Sequence, residues 1–295
     1  MELVSEAAEH FSRLSMFPYF DGAHYLVSVL SAREQAGAVD VASRSPFASW
    51  FSAMLCCFGG GILSSILLAE PPVAILSNST NIIYASVVWY MVYYFPLDLF
   101  YRCFCFLPLR AIAAAMKEVT RTWKILAGVT QAHSRFKDAL LVMVANGWAK
   151  AGGGLISNFE QLVRGVWKPE SNELLKMSYP VKISLLGSVL FTLQHVDLLP
   201  IERHHLMFIY TMFLITIKVR MMLTKSSASP FLPVEDLIGR LVFGLQQASN
   251  ISKEKVTTSD KDELKVKESV SKEETGASSS EPSDSTRKRN TKKSE

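Results

Sequence analysis

The chain has 295 residues and a formal net charge of +4, and its 49% hydrophobic and 20% charged residues would suit a slightly apolar soluble protein. The average conceals two parts, because residues 246–295 hold 11 of the 31 lysines and arginines, 10 of the 27 acidic residues and no aromatic residue. The other 245 residues are about 15% charged, against roughly 25% in a soluble domain, which excludes an ordinary soluble fold, and no basic face points to nucleic acid as a partner. We therefore expect a membrane-embedded body at 1–245 and a disordered, charged tail at 246–295 that cannot bury enough apolar surface to fold.

Uncharged stretches predict membrane-spanning helices, since a helix needs roughly 20 residues to cross a hydrocarbon core of about 30 Å. The stretches 45–69 and 71–97 contain no charged residue, and five further apolar stretches contain one or a few. The resulting spans are 17–32, 45–69, 71–97, 107–129, 139–159, 181–196 and 205–223. The sequence thus predicts an all-α membrane protein with seven transmembrane helices.

Basic residues predict the orientation of these spans. The loops after the first, third and fifth spans carry six lysines and arginines, whereas the N-terminus and the other loops carry four. By the positive-inside rule, the C-terminus and its tail are cytoplasmic and the N-terminus is lumenal. Two signals agree with this topology: a sequon at Asn78, whose glycosylation stays open, and Lys292 and Lys293, which resemble a dilysine retrieval signal.

An internal repeat relates the first six spans. The glycine triplet at 59–61 in the second span recurs at 152–154 in the fifth, and the Phe-Pro pair at 17–18 matches Leu-Pro at 107–108. Each half, about 16–98 and 106–199, contains three spans. Because three is odd, the halves enter the membrane from opposite sides, which predicts inverted repeats with a seventh helix outside them.

The repeated triplets are the first candidate pore and gating positions. They comprise Gly59, Gly60, Gly61, Gly152, Gly153 and Gly154. Glycine inside a helix costs up to about 1 kcal/mol relative to alanine, so its repetition at the same place in both halves requires a reason. One interpretation is close helix packing; the other is a kink or break that frees carbonyls to line an aqueous path, and the two are compatible.

The fourth span carries a basic stripe. Its members share one helical face and are Arg110, Lys117, Arg121 and Lys124. Charges at the membrane centre cost at least about 2.5 kcal/mol each unless they face protein, water or headgroups. The stripe therefore indicates either an amphipathic helix on the membrane surface or a basic pocket for an anionic lipid headgroup that moves with voltage. Glu118 lies three residues before Arg121 and could pair with it.

Lys150, two residues before the second triplet, has no counterpart in the first half. It either snorkels from a lipid-facing position or faces a pathway and tunes its electrostatics. Asp21 in the first span is the intramembrane carboxylate expected near it.

Cysteine and histidine do not predict a metal site. The cysteines form two close pairs, 56–57 and 103–105, inside apolar runs without histidine or aspartate at ligand spacing, so we interpret them as small core residues. His195, His204 and His205 lie at span edges, where we expect them to contact interfacial water. No catalytic nucleophile and base lie at related depths, so an enzyme is not expected.

Six passages resemble the trimeric intracellular cation channels, and most closely their type B branch. They are MFP at 16–18, CFGGG at 57–61, FPLDL at 95–99, MKEVTRTWK at 116–124, SNFE at 157–160 and GVWKPE at 165–170. The resemblance extends from about residue 12 to residue 246.

The resemblance implies a homotrimer in which each subunit conducts K+ through its own pore. The channel would lie in the endoplasmic or sarcoplasmic reticulum membrane, with the nuclear envelope as a further candidate location, and would supply counter-ion current to Ca2+ release channels. A phosphoinositide, phosphatidylinositol bisphosphate, would bind Lys117 and Arg121, and these two with Lys124 are candidate voltage sensors. No cofactor or metal is implied. An alternating-access secondary transporter remains the alternative, since inverted repeats with midplane glycines are typical of that class as well.

Overall fold

The computed structural model describes residues 2–167, 169, 172–174 and 176–224, and these residues form helices, turns and loops with no strand. The all-α prediction is therefore confirmed. The helices are α1 (Glu2–Ser12), α2 (Tyr19–Arg33), α3 (Ala38–Arg44), α4 (Pro46–Leu67), α5 (Ser79–Tyr94), α6 (Leu99–Cys105), α7 (Leu107–Arg135), α8 (Leu140–Ala151), α9 (Ser157–Val163), α10 (Tyr179–His195) and α11 (Arg203–Thr224). The tail predicted to be disordered, with Lys292 and Lys293, lies outside the described residues.

Each of the seven predicted spans contains one of the longer helices, but their lengths differ. Within the described residues, α4 and α11 are long and apolar enough to cross a membrane, and α5 with the segment 96–105 would be a third if this pair, bent by 90°, forms one span. Helix α8 is apolar but shorter. The count of seven crossings and the inversion of the two halves stay predictions.

Proline and short polar side chains begin several of these helices. Pro46, Pro108 and Pro180 lie in the first turns of α4, α7 and α10, where a missing N–H costs no intrahelical hydrogen bond. Ser45 caps α4 by accepting a hydrogen bond from the Ala48 amide at 3.4 Å. Asn78 of the sequon caps α5 in the same way and is exposed.

Helix α7 lies at the centre of the body. It packs against α2, α8, α10 and α11. Thr122, Ile125, Val129 and Ala132 on this helix are completely buried. The surface-lying interpretation of this segment is therefore wrong, because the central turns of α7 are buried among four other helices.

The two halves of the predicted repeat pack against each other through helices at equivalent positions. Helix α2, the first span of one half, packs against α7, the first span of the other, and α4 likewise packs against α8. Pairing of equivalent elements is the arrangement that a pseudo-two-fold axis produces.

The short helices α1, α3, α6 and α9 were not predicted. Three of them have seven residues and are too short for a periodic signal. The bend after α5 carries α6 outward, so Cys103 and Cys105 are exposed, and their prediction as core residues is wrong. Cys57 is buried as predicted, Cys56 is half-buried, and all four are free thiols.

Candidate functional site

The first glycine triplet is a packing surface. Helix α4 runs without a break from Pro46 to Leu67, through residues 59–61. A Cβ added at Gly60 would lie 2.5 Å from the Lys150 carbonyl oxygen and 3.0 Å from that of Ala149. Only glycine allows the last turn of α8 to approach this closely. The close-packing interpretation is confirmed here, and of the predicted kink or break, no break is present at this triplet.

The second triplet interrupts its helix. Helix α8 ends at Ala151, Gly152 has φ −86° and ψ 59°, a 3-10 turn covers Gly153–Ile156, and α9 begins at Ser157. A Cβ at Gly153 would meet nothing closer than the Cys56 carbonyl oxygen at 3.8 Å. Here the predicted break is present, and the span expected at 139–159 is two helices with a turn between them.

A cavity of about 300 Å³ adjoins this break. Backbone of the interrupted segment lines one side of it, and cationic side chains from α7 and α11 line another. The glycines of the lining are Gly152, Gly153 and Gly154, and its lysines, arginines and glutamates are Lys117, Arg121, Lys218, Glu118, Glu160 and Glu173. The cavity thus brings together the second triplet and the predicted lipid-binding pair, although 31 or more residues separate them along the chain.

Lys117 and Arg121 have unequal partners. Arg121 pairs with Glu118 at 2.6 Å, and it also donates to the Pro180 carbonyl at 2.9 Å and to the Ser184 hydroxyl at 3.0 Å. The side chains of Arg121 and Glu118 are 7% and 2% exposed, so the predicted pair is confirmed and is buried. Lys117 donates to a neutral acceptor, the Ser28 hydroxyl, at 3.1 Å.

Lys124 lies one turn further along the stripe and contacts α2. Its ammonium nitrogen is 2.7 Å from Nε2 of His24. The same Nε2 is 3.0 Å from the Cys57 carbonyl oxygen, so this nitrogen lies between the ammonium group and a backbone acceptor. Asp21 on the same helix interacts electrostatically with Lys124. Lys124 also interacts electrostatically with Lys150, so the expected placement of Asp21 near Lys150 stays a prediction.

Lys150 instead begins a hydrogen-bonded chain. Its ammonium group donates to the Gln131 side-chain oxygen at 2.5 Å, and the Gln131 amide donates to Glu70 at 2.8 Å. Arg135 donates to the other Glu70 oxygen at 3.1 Å. Lys150 and Gln131 line a second cavity of about 860 Å³, so the lysine faces a polar space, and the snorkelling interpretation is not supported.

Arg110, the remaining member of the stripe, lies apart from both cavities' linings. It pairs with Glu34 at 2.7 Å, and the two side chains are about one-third exposed. Gly128, which continues the stripe, meets α8: a Cβ there would lie 2.8 Å from the Asn146 carbonyl oxygen. Gly128 therefore packs against protein, whereas Lys117 and Arg121 line a cavity and Arg110 is partly exposed.

Sequence reasoning missed three features of the site. Lys218 lines the 300 Å³ cavity and interacts electrostatically with Glu118 and Arg121, whereas the sequence indicated only a basic residue near a span end. His24 gave no signal, since its partner is 100 residues away. Glu160 and Arg164 form a second buried ion pair at 2.5 Å, and only their spacing of four residues could have suggested it.

An all-helical body with apolar spans, buried cations, two cavities and an interrupted helix defines the class of polytopic membrane transport proteins. Comparison with known proteins narrows this class. The model of the TRIC channel family matches residues 35–225. The trimeric intracellular cation channel type B of Xenopus tropicalis is 75% identical over 248 residues, covering 84% of this chain and 87% of that protein. The human type B channel is 55% identical over 243 residues, covering 82% and 84%.

Solved structures of TRIC channels are also similar to this chain. A structure described as "Structural basis for activity of TRIC counter-ion channels in calcium release" has a TM-score of 0.74 and 77% identity, covering 75% of this chain and all of that one. A trimeric intracellular cation channel from C. elegans with bound Ca2+ has a TM-score of 0.69 and 33% identity, covering 76% and 98%. The chain belongs to the TRIC channel family, and the resemblance inferred from the sequence is confirmed. It is a membrane protein of a cation-channel family, which is not a class of enzymes.

Proposed function

We propose that the protein is a K+-conducting channel of the endoplasmic or sarcoplasmic reticulum membrane whose current balances the charge moved by Ca2+ release. The observation that carries this proposal is the interruption of α8 at Gly152–Gly154 beside a cavity. Backbone carbonyls freed at membrane depth need water or ions as partners. The description of a 77% identical relative as a counter-ion channel in calcium release supports the same function.

An anionic lipid modulates this channel by binding in the 300 Å³ cavity. Lys117, Arg121 and Lys218 line that cavity, and Glu118 is the carboxylate paired with Arg121. Glu118 and Glu160, two of the three carboxylates in the lining, pair with Arg121 and Arg164. The charges left to meet a ligand are Lys117, Lys218 and Glu173, and the two lysines suit the phosphate charges of a phosphoinositide headgroup. In this arrangement Lys117 and Lys218 contact the headgroup directly, while the Arg121–Glu118 pair stabilises the helix that lines the cavity.

Voltage acts on the lysines of α7. Moving one charge through a full potential of 100 mV changes the free energy by about 2.3 kcal/mol. Arg121 is held by an ion pair and two further acceptors, so it is a poor moving charge. Lys117 has a neutral hydroxyl partner and is the better voltage-sensing candidate, whereas Lys124 lies beside His24 and interacts with Asp21.

The channel assembles as a homotrimer beside Ca2+ release channels, with a lumenal N-terminus and a cytoplasmic C-terminus. The names of the relatives as trimeric channels and the sequence's charge bias support this arrangement.

The test is the current of the purified full-length chain in planar lipid bilayers with K+ on both sides. We expect unitary K+ current steps that depend on voltage, with a mock preparation from the same host as the control. A broken helix is also typical of alternating-access transporters. Saturable, coupled flux without unitary steps would favour that alternative, and silence in both assays would refute the proposal.

A further inference from the structure

Three potential metal ligands converge where α11 begins. The side chains of Glu202, His204 and His205 each offer one ligand atom, and these atoms all lie within 4.8 Å of one another. One Glu202 oxygen, Oε2, is 3.2 Å from His204 Nε2 and 3.4 Å from His205 Nδ1. The two imidazole rings lie side by side, with centroids 4.1 Å apart. The three residues lie within four positions of the chain, so no distant segment is needed to bring their side chains together.

The spacing of these atoms suits a tetrahedral metal ion. Bonds of about 2.0–2.1 Å to nitrogen and oxygen place tetrahedral ligand atoms about 3.3 Å apart, close to the two distances measured. Two imidazoles and a carboxylate form a donor set that Zn2+ accepts with a fourth position open to water.

The donor set does not suit Ca2+. Ca2+ takes six to eight oxygen ligands, and imidazole nitrogen is a ligand for zinc and its neighbours in the first transition row. Ligand access is available, since the side chains of His204 and His205 are 26% and 31% exposed and that of Glu202 is 72% exposed.

The structure assigns to Glu202, His204 and His205 a binding site for a transition-metal dication of the Zn2+ class. The site is separate from the proposed lipid cavity, whose lining contains none of these three residues. His204 also lines the 860 Å³ cavity that contains Lys150. A bound dication would therefore add two positive charges at the rim of that cavity.

Zn2+ binding to the untagged full-length protein in detergent tests this site without requiring channel activity. Isothermal titration calorimetry with Zn2+ alone should give one site per chain, and excess Ca2+ should not compete. Glu202→Gln and the double variant His204→Ala/His205→Ala should each weaken binding by more than about tenfold, because each removes at least one direct ligand.

His10→Ala is the matched control. His10 is an exposed histidine 3.9 Å from the single carboxylate of Glu6, so its loss should leave Zn2+ affinity unchanged. Unaltered affinity in the double variant, or equal loss in His10→Ala, would overturn the proposal. Neither result bears on K+ conduction, so failure of the metal site and failure of the channel function are distinguishable.

Discussion

Individual buried charges in this protein are held in two ways. Arg121 and Arg164 each pair with a carboxylate one turn away on their own helix, and all four side chains are at most 7% exposed. Lys117 has a neutral hydroxyl partner instead. Removing one member of a buried pair costs about 3–5 kcal/mol, because the other charge is left uncompensated. The arginines are therefore structural, and Lys117 remains available to a charged ligand.

This difference predicts separate effects of two substitutions in the lipid cavity. Lys117→Met should weaken phosphoinositide binding by about tenfold or more and leave thermal stability nearly unchanged, since loss of one charge-assisted contact is worth about 1.5–3 kcal/mol. Arg121→Met should lower the stability of the folded protein, because Glu118 is 1% exposed and would lose its partner. Binding to vesicles with and without phosphatidylinositol bisphosphate measures the lipid affinity of each variant. Thermal unfolding in detergent measures its stability.

Arg110→Gln is the control for these substitutions. Arg110 lies on the same face of α7, but it pairs with Glu34 near the surface and does not line the cavity. If Lys117→Met and Arg110→Gln bind phosphoinositide vesicles equally well, Lys117 is not a phosphoinositide contact.

At the scale of elements, two identical glycine triplets have different structures. The first lies within a continuous α4 and receives the last turn of α8, whereas the second ends α8 and starts a 3-10 turn. Backbone propensity is the same in both, so the neighbouring elements decide the outcome. Gly60 is required by the approach of backbone carbonyls, while Gly153 has space for a methyl group.

A pair of alanine substitutions separates these two roles. Gly60→Ala should destabilise the protein, because the added methyl would lie 2.5 Å from a carbonyl oxygen of α8. Gly153→Ala should fold normally and reduce unitary K+ conductance, because alanine gains up to about 1 kcal/mol in helical structure and disfavours the interrupted backbone. Thermal unfolding and bilayer recordings test the pair. Equal stability of the two variants would refute the packing role of Gly60, and unchanged conductance in Gly153→Ala would refute the role of the break.

At the scale of the whole molecule, the two cavities follow one another along α7. Residues 114–121 contribute to the smaller cavity and residues 123–134 to the larger. The end of α8 lies between them, since Lys150 lines the larger cavity and the next residue, Ala151, lines the smaller. A path joining the cavities would therefore pass the ammonium group of Lys150.

Neutralising Lys150 should raise the unitary K+ current, because a fixed positive charge beside a cation path opposes entry of the ion. Lys150→Met makes this test, and Lys150→Arg is the matched control that keeps the charge and should conduct like the unaltered protein. Recordings at low and high salt should differ, with a larger effect at low salt, where screening is weaker. Equal currents in the methionine and arginine variants would remove Lys150 from the pathway.

Local sequence was sufficient to predict several features of the fold and of the candidate site. The all-α class, the family resemblance, the Glu118–Arg121 pair and the interruption at Gly152–Gly154 all follow from neighbouring residues: apolar length, helical spacing of three, and consecutive glycines. Neighbouring residues allowed either close packing or a kink or break at both triplets, and α4 is unbroken at Gly59–Gly61. The sequence of a helix does not state which backbone packs against it.

Sequence alone determined which residues are apolar, charged or able to break a helix, because these properties depend on composition and on spacing within one or two turns. Tertiary structure decided which charges meet. Lys124 lies beside His24 from 100 residues away, Gln131 beside Glu70 from 61, and Lys150 beside Gln131 from 19. Such contacts depend on how helices pack in three dimensions, and side-chain periodicity within one helix carries no information about the distance to another.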